Sequence, residues 1–557
     1  MRRTLQLAGF ALLAALAFVL RAQPATGDAS ARGGAYASLA DSDSDYRMRL
    51  VQLSLVTAHV PERDRFLALE PARSLPPWPP FVHAALAVGF SHGLERTPDA
   101  VELGGIEETT LERARVWVAP TLAALGVLAA AALALYLAGG GMGGAAALAI
   151  AFLAALHPLG LAREPAGSLH AHGWIVLFSL AQFAALALAL RGAERVDLLV
   201  GAIGGGLAAA LALLCGPEAW PVCAAVLAAF VLRAARAERE HSRDAWRAVL
   251  GFVGTAFAVL AIPREDAAPS LAWPDLATGG LLASAPDTLL LALAPCALAF
   301  ALVARRMREP LVATLAAATL LSLGCALVDR RFFATFVAAS LSLLALALVR
   351  ATLEHRRAQI GALLAIAAFV LPTVLRASVR GEHADALPAA LRWLRERSSS
   401  PGAFNHPDAE QSWRVAAPPA LAGSIGLHAR RGVVASSFDG ARGPLSPALA
   451  DAFRARDPLE LASALARADA PYLIVSPLAL RDPELALAPD SLVARLALDP
   501  ALDLGGALEP LYLSPQWITL EGAAASDGEA AGPAVAIYRR LGVRRAEDVP
   551  SLAPIER

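Results

Sequence analysis

Three stretches carry side chains whose types and spacing can do chemistry. The first reads Asp41-Ser-Asp43-Ser-Asp-Tyr46-Arg-Met-Arg49, continues through Pro61-Glu-Arg-Asp64, and ends in Pro76-Pro-Trp78-Pro79-Pro80-Phe81. The second is His170-Ala-His172 and the third is Asp329-Arg330-Arg331. Residues two apart in an extended segment point the same way, so both imidazoles can reach one ion. An oxygen ligand from Asp43 suits Mg²⁺ or Mn²⁺, and the two imidazoles shift the preference toward Mn²⁺ or Zn²⁺. An arginine beside the membrane face is suited to receive an anionic group. Plainer readings stand beside these: two solvated interfacial histidines, and a tight charged turn in which Asp329 satisfies Arg331.

The elements that must position these residues are mostly apolar. Of 557 residues, 57% are hydrophobic and only 17% charged, which places the chain among polytopic membrane proteins. The net charge of −1 gives no pull toward nucleic acid. There is no lysine, and Asn405 is the only asparagine, a usage that fits a GC-rich, bacterial genome. Cys215, Cys223, Cys296 and Cys325 lie in or beside apolar runs with no metal-ligand or disulfide spacing, and read as buried structural thiols.

Arg2 and Arg3 precede the apolar run Leu5–Leu20, which reads as a retained signal-anchor or a cleaved signal peptide, retention being favoured by the many spans that follow. Further apolar segments run Val116–Leu137, Ala145–Leu161, Trp174–Leu190, Leu198–Leu214, Trp220–Leu232, Val249–Ile262, Thr288–Val303, Leu311–Val328, Phe332–Val349 and Ile360–Leu375, making about 11 spans. With the N-terminus in the cytoplasm, the inner loops hold Arg191/Arg195, the run Arg233 to Arg247, Arg305/Arg306/Arg308 and Arg350/Arg356/Arg357. The outer side then receives the long first loop 23–114, Ala162–Ala171, Pro263–Asp287, Asp329 to Arg331, and everything after Ser378. All three chemistry-bearing stretches fall on that side.

From Gly381 the composition becomes that of a soluble domain. An amphipathic helix, Ala384–Arg397, is followed by strand-like runs at Gly432–Phe438, Tyr472–Val475, Leu511–Leu520 and Ala534–Tyr538, alternating with helical stretches such as Pro458–Ala468. The expected architecture is an α-helical polytopic membrane unit, 1–380, followed by a C-terminal external mixed α/β domain, 381–557.

These residues in this order resemble the catalytic subunit of oligosaccharyltransferase, a class C membrane glycosyltransferase. Its pattern of an Asp, then a Tyr, then an Arg three residues on, then Trp-Pro-Pro, is similar to Asp43, Tyr46, Arg49 and Trp78-Pro79-Pro80. His170-Ala-His172 falls where that family ends its second external loop in an Asp-x-Asp or Asp-His-His motif, and Arg331 resembles its arginine for lipid-linked phosphate. The segment from Ala386 to Phe438 is similar to the start of the family's external domain. The family's acceptor-recognising Trp-Asp motif should lie near 417–423, where no tryptophan or aspartate occurs. Its late acidic residue has only Glu265, Asp266 and Asp287 as counterparts.

The resemblance implies a bacterial inner-membrane enzyme moving a glycan from a polyprenyl (pyro)phosphate donor to a polypeptide acceptor on the periplasmic face. It implies Asp43 as the catalytic residue, a divalent metal on Asp43, His170 and His172, and substrate contacts from Arg331, Arg49, Tyr46 and Trp78. Two other functions fit the same sequence: a degenerate relative that only binds lipid-linked glycan, and a lipid-linked sugar transporter. A transporter would place its site at mid-bilayer, whereas the polar residues here gather at one face.

Overall fold

The structure is a computed structural model. It describes residues 2–22, 42–59, 61, 64, 66, 80–97, 103, 105–138, 144–155, 168–191, 194–261, 286–354, 385–398, 413–436, 447–482, 485, 487–520 and 530–541. Helices lie on each predicted apolar segment except Ile360–Leu375, which is outside the described residues. They are α1 (Arg2–Ala22) and, after two helices of the first external loop, α4 (Glu108–Ala138), α5 (Gly144–Ala155), α6 (His172–Arg191), α7 (Arg195–Cys215), α8 (Trp220–Arg236), α9 (Arg239–Leu260), α10 (Pro286–Val303), α11 (Pro310–Val328) and α12 (Phe333–Glu354). Five described segments are long and apolar enough to cross a membrane: α4, α6, α7, α8 with its preceding turn, and α11. Their interiors are Ala, Leu and Val with almost no charge, so backbone hydrogen bonds are satisfied within each helix, as hydrocarbon requires. One apolar core joins them, running from Phe10 on α1 to Val349 on α12.

The first external segment, read from sequence as a loop, contains α2 (Ser42–Thr57) and α3 (Phe81–Gly93). Asp43 and Asp45 in the first turn of α2 face the positive end of the helix dipole, which favours starting a helix there.

Residues 386–538 build a second apolar core. Helix α13 (Ala386–Arg397) turns Leu387, Leu391 and Leu394 into it. Strands β1 (Val415–Ala416), β2 (Tyr472–Val475), β3 (Leu508–Leu513) and β6 (Ala536–Arg540) form a four-stranded sheet in the order β1-β2-β6-β3. β1 and β2 are parallel, and the other neighbours are antiparallel, with Ile474 opposite Ile537. The predicted strand over Leu511–Leu520 is divided at Ser514 to Gln516, and its second half pairs as β4 (Trp517–Leu520) with β5 (Ala530–Pro533). Among the described residues of Gly432–Phe438, Val433 alone bridges, to Val415. Asp457 caps the helix Pro458–Arg467 through the amides of Leu459 and Glu460, both at 2.9 Å.

The second core is fastened to the first external segment by ion pairs. Glu108, at the start of α4, accepts two bonds from Arg395 of α13 at 2.8 and 3.0 Å and one from Arg430 at 3.1 Å. Arg430 reaches it from a left-handed backbone conformation, φ 52°, which ends the helical turns of residues 422–429.

Candidate active site at the external face

Helix α2 is polar in composition yet enclosed, with Ser44 through Ser54 all buried. Polar groups taken out of water on every side of a helix need partners, and those partners lay out the site. Asp45 takes Arg115 of α4 at 2.6 Å on one oxygen. On the other it accepts from the Ser424 hydroxyl at 2.6 Å, and His428 lies 3.4 Å away. Burial alone would raise the Asp45 carboxyl, but Arg115, then His428 and Ser424, outweigh it and hold the group down at about 2.

Arg49, one turn on, is fully enclosed and bidentate to Asp64 at 2.7 and 2.8 Å, with its guanidinium 3.8 Å over the Phe66 ring. The Phe66 carbonyl in turn accepts from the Val433 amide at 2.8 Å. Tyr46 is likewise fully buried. The resemblance puts Arg49 and Tyr46 at the substrate. In the structure both are enclosed and Arg49 already holds a carboxylate, because it braces α2 against Asp64 and the second core.

Asp43 and Arg47 are four residues apart and share another face of α2. Asp43 is half-buried in the first turn and Arg47 is buried. The Arg47 charge acts on His83 of α3 and on Glu218. His83 is 1% exposed. Its burial, and then Arg47, lower it to about 3, so it is neutral at pH 7.

The Leu169 amide donates to the Ser44 hydroxyl at 2.8 Å, which ties the segment ending in His170-Ala-His172 to the first turn of α2. The two imidazoles stack with ring centres 5.5 Å apart and planes 29° apart. Among the described residues no three His, Cys, Asp or Glu side chains converge where they would hold an ion. Asp43, His170 and His172 are therefore not gathered into the three-ligand divalent site that the sequence predicts; the two imidazoles stack on each other at the end of the loop. Trp78, Glu265 and Asp266 lie outside the described residues, as does the side chain of Asp287.

Arg331 sits in the short turn between α11 and α12. Its Nε and its backbone amide both donate to Asp329, at 2.7 and 2.9 Å. Asp329 is buried, while 24% of the Arg331 side chain is open to solvent. The charged-turn reading of Asp329-Arg330-Arg331 thus holds for Arg331, whose side chain remains partly exposed. Beside this turn packs a second one, Pro217–Ala219, and the Thr335 hydroxyl donates to the Glu218 carbonyl at 2.7 Å.

Helix α2, the two turns and the His170 segment thus lie together around one apolar cluster. Sequence reasoning passed over Asp45, His428, Arg115 and Glu218. The Asp45/Arg49 spacing of four was the one available signal, and it speaks only once residues 42–57 are taken as a helix. Near 417–423, where the resemblance expects an acceptor-recognising motif, the chain presses on the start of α2. The Gly423 amide donates to the Ser42 hydroxyl at 2.9 Å, and a Cβ at Gly423 would stand 2.0 Å from the Ser42 carbonyl oxygen.

No protein-family profile and no curated protein matches this sequence. Solved structures do match. The oligosaccharyltransferase of Archaeoglobus fulgidus in its apo form aligns at 13% identity with a TM-score of 0.67, covering 96% of this chain and 88% of that one. The same enzyme in complex with Zn and sulfate gives 14% identity, a TM-score of 0.66 and the same coverage. ArnT from Cupriavidus metallidurans gives 13% identity and a TM-score of 0.54, covering 96% and 98%. At these identities the likeness is one of fold: the chain shares the fold of these structures, that of the class C membrane glycosyltransferases.

Proposed function

We propose that the protein transfers a glycan from a polyprenyl (pyro)phosphate donor to an acceptor at the external face of a bacterial inner membrane. What supports this reading is a fold shared with glycosyltransferases, in which Asp43 is half-buried in the first turn of α2 and the Arg331 side chain is partly exposed in the turn between α11 and α12. In this reading the chain is a membrane unit, 1–380, of about eleven spans with a cytoplasmic N-terminus, and an external unit, 381–557.

The partly open Arg331 receives the donor phosphate. Asp43, at the open end of α2, orients the acceptor and takes its proton. The anomeric carbon–oxygen bond to phosphate breaks, the acceptor atom bonds to that carbon, and polyprenyl (pyro)phosphate leaves with the electron pair. Negative charge grows on the leaving oxygen, so a fixed cation there lowers the barrier most. Arg49 and Tyr46 act by holding α2 in place. His170 and His172 line the face beside Asp43, and Trp78 is assigned to the same substrate surface on the resemblance alone. The acceptor is a polypeptide in this reading. Two structures of the archaeal neighbour support it, one with an inhibitory peptide and a dolichol-phosphate and one with a tethered acceptor peptide.

The test is transfer by the purified full chain in lipid, from a defined polyprenyl-linked sugar to mixed peptides, with Mg²⁺, Mn²⁺ and Zn²⁺ supplied in turn. Asp43→Ala should lower turnover by at least about a hundredfold, the scale of losing a positioned acid–base group. Unchanged turnover in that variant ends the assignment. Donor binding without transfer under any ion supports the non-catalytic, glycan-binding reading instead.

A further inference from the structure

Helices α7 and α9 carry a charged cluster at the end of the molecule away from α2. The last residue of α7, Cys215, joins the apolar cluster that holds Met48 and Val51 of α2. The 21 helical residues of α7 therefore put Arg195, its first, roughly 30 Å from that face. α9 begins at the same end and runs alongside. A Cβ at Gly206 of α7 would stand 2.3 Å from the Phe252 carbonyl oxygen of α9, so the two backbones touch. On its other side Phe252 meets Phe230 of α8, with ring centres 5.6 Å apart. These contacts fix the rotation of α9. Ala245, Ala248, Val249 and Phe252 turn inward, while Arg243, Arg247, Leu250, Val253 and Phe257 are exposed at helical spacing. α7 exposes Val196, Val200 and Ile203 in the same manner. Where the helices adjoin, α9 carries Gly251 and Gly254. A Cβ at Gly251 would meet only Ile203, at 3.6 Å, and one at Gly254 would meet nothing within 4 Å. The seam is thus an open apolar furrow.

One carboxylate closes the furrow at its charged end. Asp244 takes Arg195 on both oxygens, with Nη2 at 2.5 Å, and Arg247 through Nη1 at 3.1 Å. Asp244 is nearly enclosed, yet the two arginine side chains are 65% and 62% exposed. Two open guanidinium groups are therefore held side by side with one positive charge uncompensated. Arg243, one turn back, adds a second. Trp246 is exposed at the same level, where an indole suits the boundary between headgroups and hydrocarbon. Of the acids nearest in sequence, Asp197 lies four residues before Gly201, on the side of α7 that meets α6, and Glu194 precedes the helix.

We infer that this furrow binds an acidic phospholipid, its phosphate on Arg195 and Arg247 and an acyl chain along Gly251 and Gly254. A basic end continuous with an apolar furrow matches an anionic amphiphile in both charge and length. A zwitterionic headgroup brings its own cation to the arginines and is held less well. The inference needs only that these helices lie in a membrane, and it stands or falls apart from the transferase reading.

The experiment uses the full chain in phosphatidylcholine vesicles with a trace of spin-labelled phosphatidylglycerol or spin-labelled phosphatidylcholine. The fraction immobilised by the protein is read for each label. The acidic label should be retained preferentially, saturating at a single lipid per chain, whereas equal retention of the two labels overturns the inference. Arg247→Gln should lower the preference about fivefold, and Arg247→Lys should keep most of it. Arg305→Gln with Arg308→Gln, at the exposed turn between α10 and α11, should leave it unchanged. An unchanged preference in Arg247→Gln, or an equal loss in the Arg305/Arg308 variant, shows diffuse charge in place of a site and overturns the assignment. Gly251→Leu fills the furrow and should release the acidic label with every charge intact; full retention overturns the acyl-chain half. Should that variant fail to fold, the exposed Arg247 substitutions still decide. Displacement of the label by an equal amount of polyprenyl monophosphate would give the furrow to a different lipid and also overturn the inference.

Discussion

At the scale of single residues, burial decides what each charge can do. His83 is enclosed and neutral, with its proton affinity lowered from 6.5 to about 3. The unfolded chain therefore holds more protons than the folded one between those values, so stability rises with pH across that window and is flat above it. Wild-type unfolding free energy should climb by up to about 1.4 kcal/mol per pH unit from pH 4 to 6 through this residue. His83→Leu should flatten that slope, read by thermal or denaturant unfolding in detergent at each pH. The pair Arg49–Asp64 makes a second prediction. Asp64→Asn leaves a guanidinium enclosed without its counter-charge and should cost about 3–5 kcal/mol. Replacing both partners, Arg49→Met with Asp64→Leu, should recover most of that loss. Neither fact was legible in sequence: Arg49 and Asp64 are only fifteen residues apart, but which face of α2 meets the returning chain depends on the helix existing.

At the scale of elements, the apolar helices were readable because hydrocarbon leaves the backbone no partner except itself, so long Ala/Leu/Val runs have few alternatives. Helix α2 was not readable for the opposite reason. Its polar residues are distributed around the whole circumference, so it shows neither the amphipathic period of a surface helix nor the apolar run of a span. Only the 422–429 segment, Arg115 and Asp64 make that pattern a stable helix. Glu218 was hidden differently, in a three-residue turn too short for any periodicity. The α2 contact with Gly423 gives the prediction for this scale. Gly423→Ala places a methyl group 2.0 Å from the Ser42 carbonyl oxygen, so the 422–429 segment must lift. Amide exchange at Ser424 to Ala429 should rise by more than about tenfold, since backbone against backbone has no side chain to yield. Unchanged exchange would show that α2 shifts instead.

At the scale of the whole molecule, the 422–429 segment meets α2 and the long helices through an apolar cluster that takes in Leu427, Met48, Phe66 and Leu111, and through charges at its edge. Glu108 with Arg395 and Arg430 stands at one point, and Asp45 with Arg115, Ser424 and His428 at another. Glu108→Gln should loosen the external unit in a salt-sensitive way, seen as faster proteolysis of residues 386–541 while the membrane helices stay protected; the wild type at high salt should move partway toward the variant. The distances along the chain carry a further consequence for biosynthesis. Asp45 emerges early, but the Ser424 hydroxyl that completes its shell follows 379 residues later. At bacterial synthesis rates that interval is roughly 20–75 seconds. Throughout it Asp45 can pair with Arg115 but lacks both Ser424 and His428, so the contact of α2 with residues 422–429 forms only when translation is nearly finished. A chain stopped before residue 424 lacks that contact altogether.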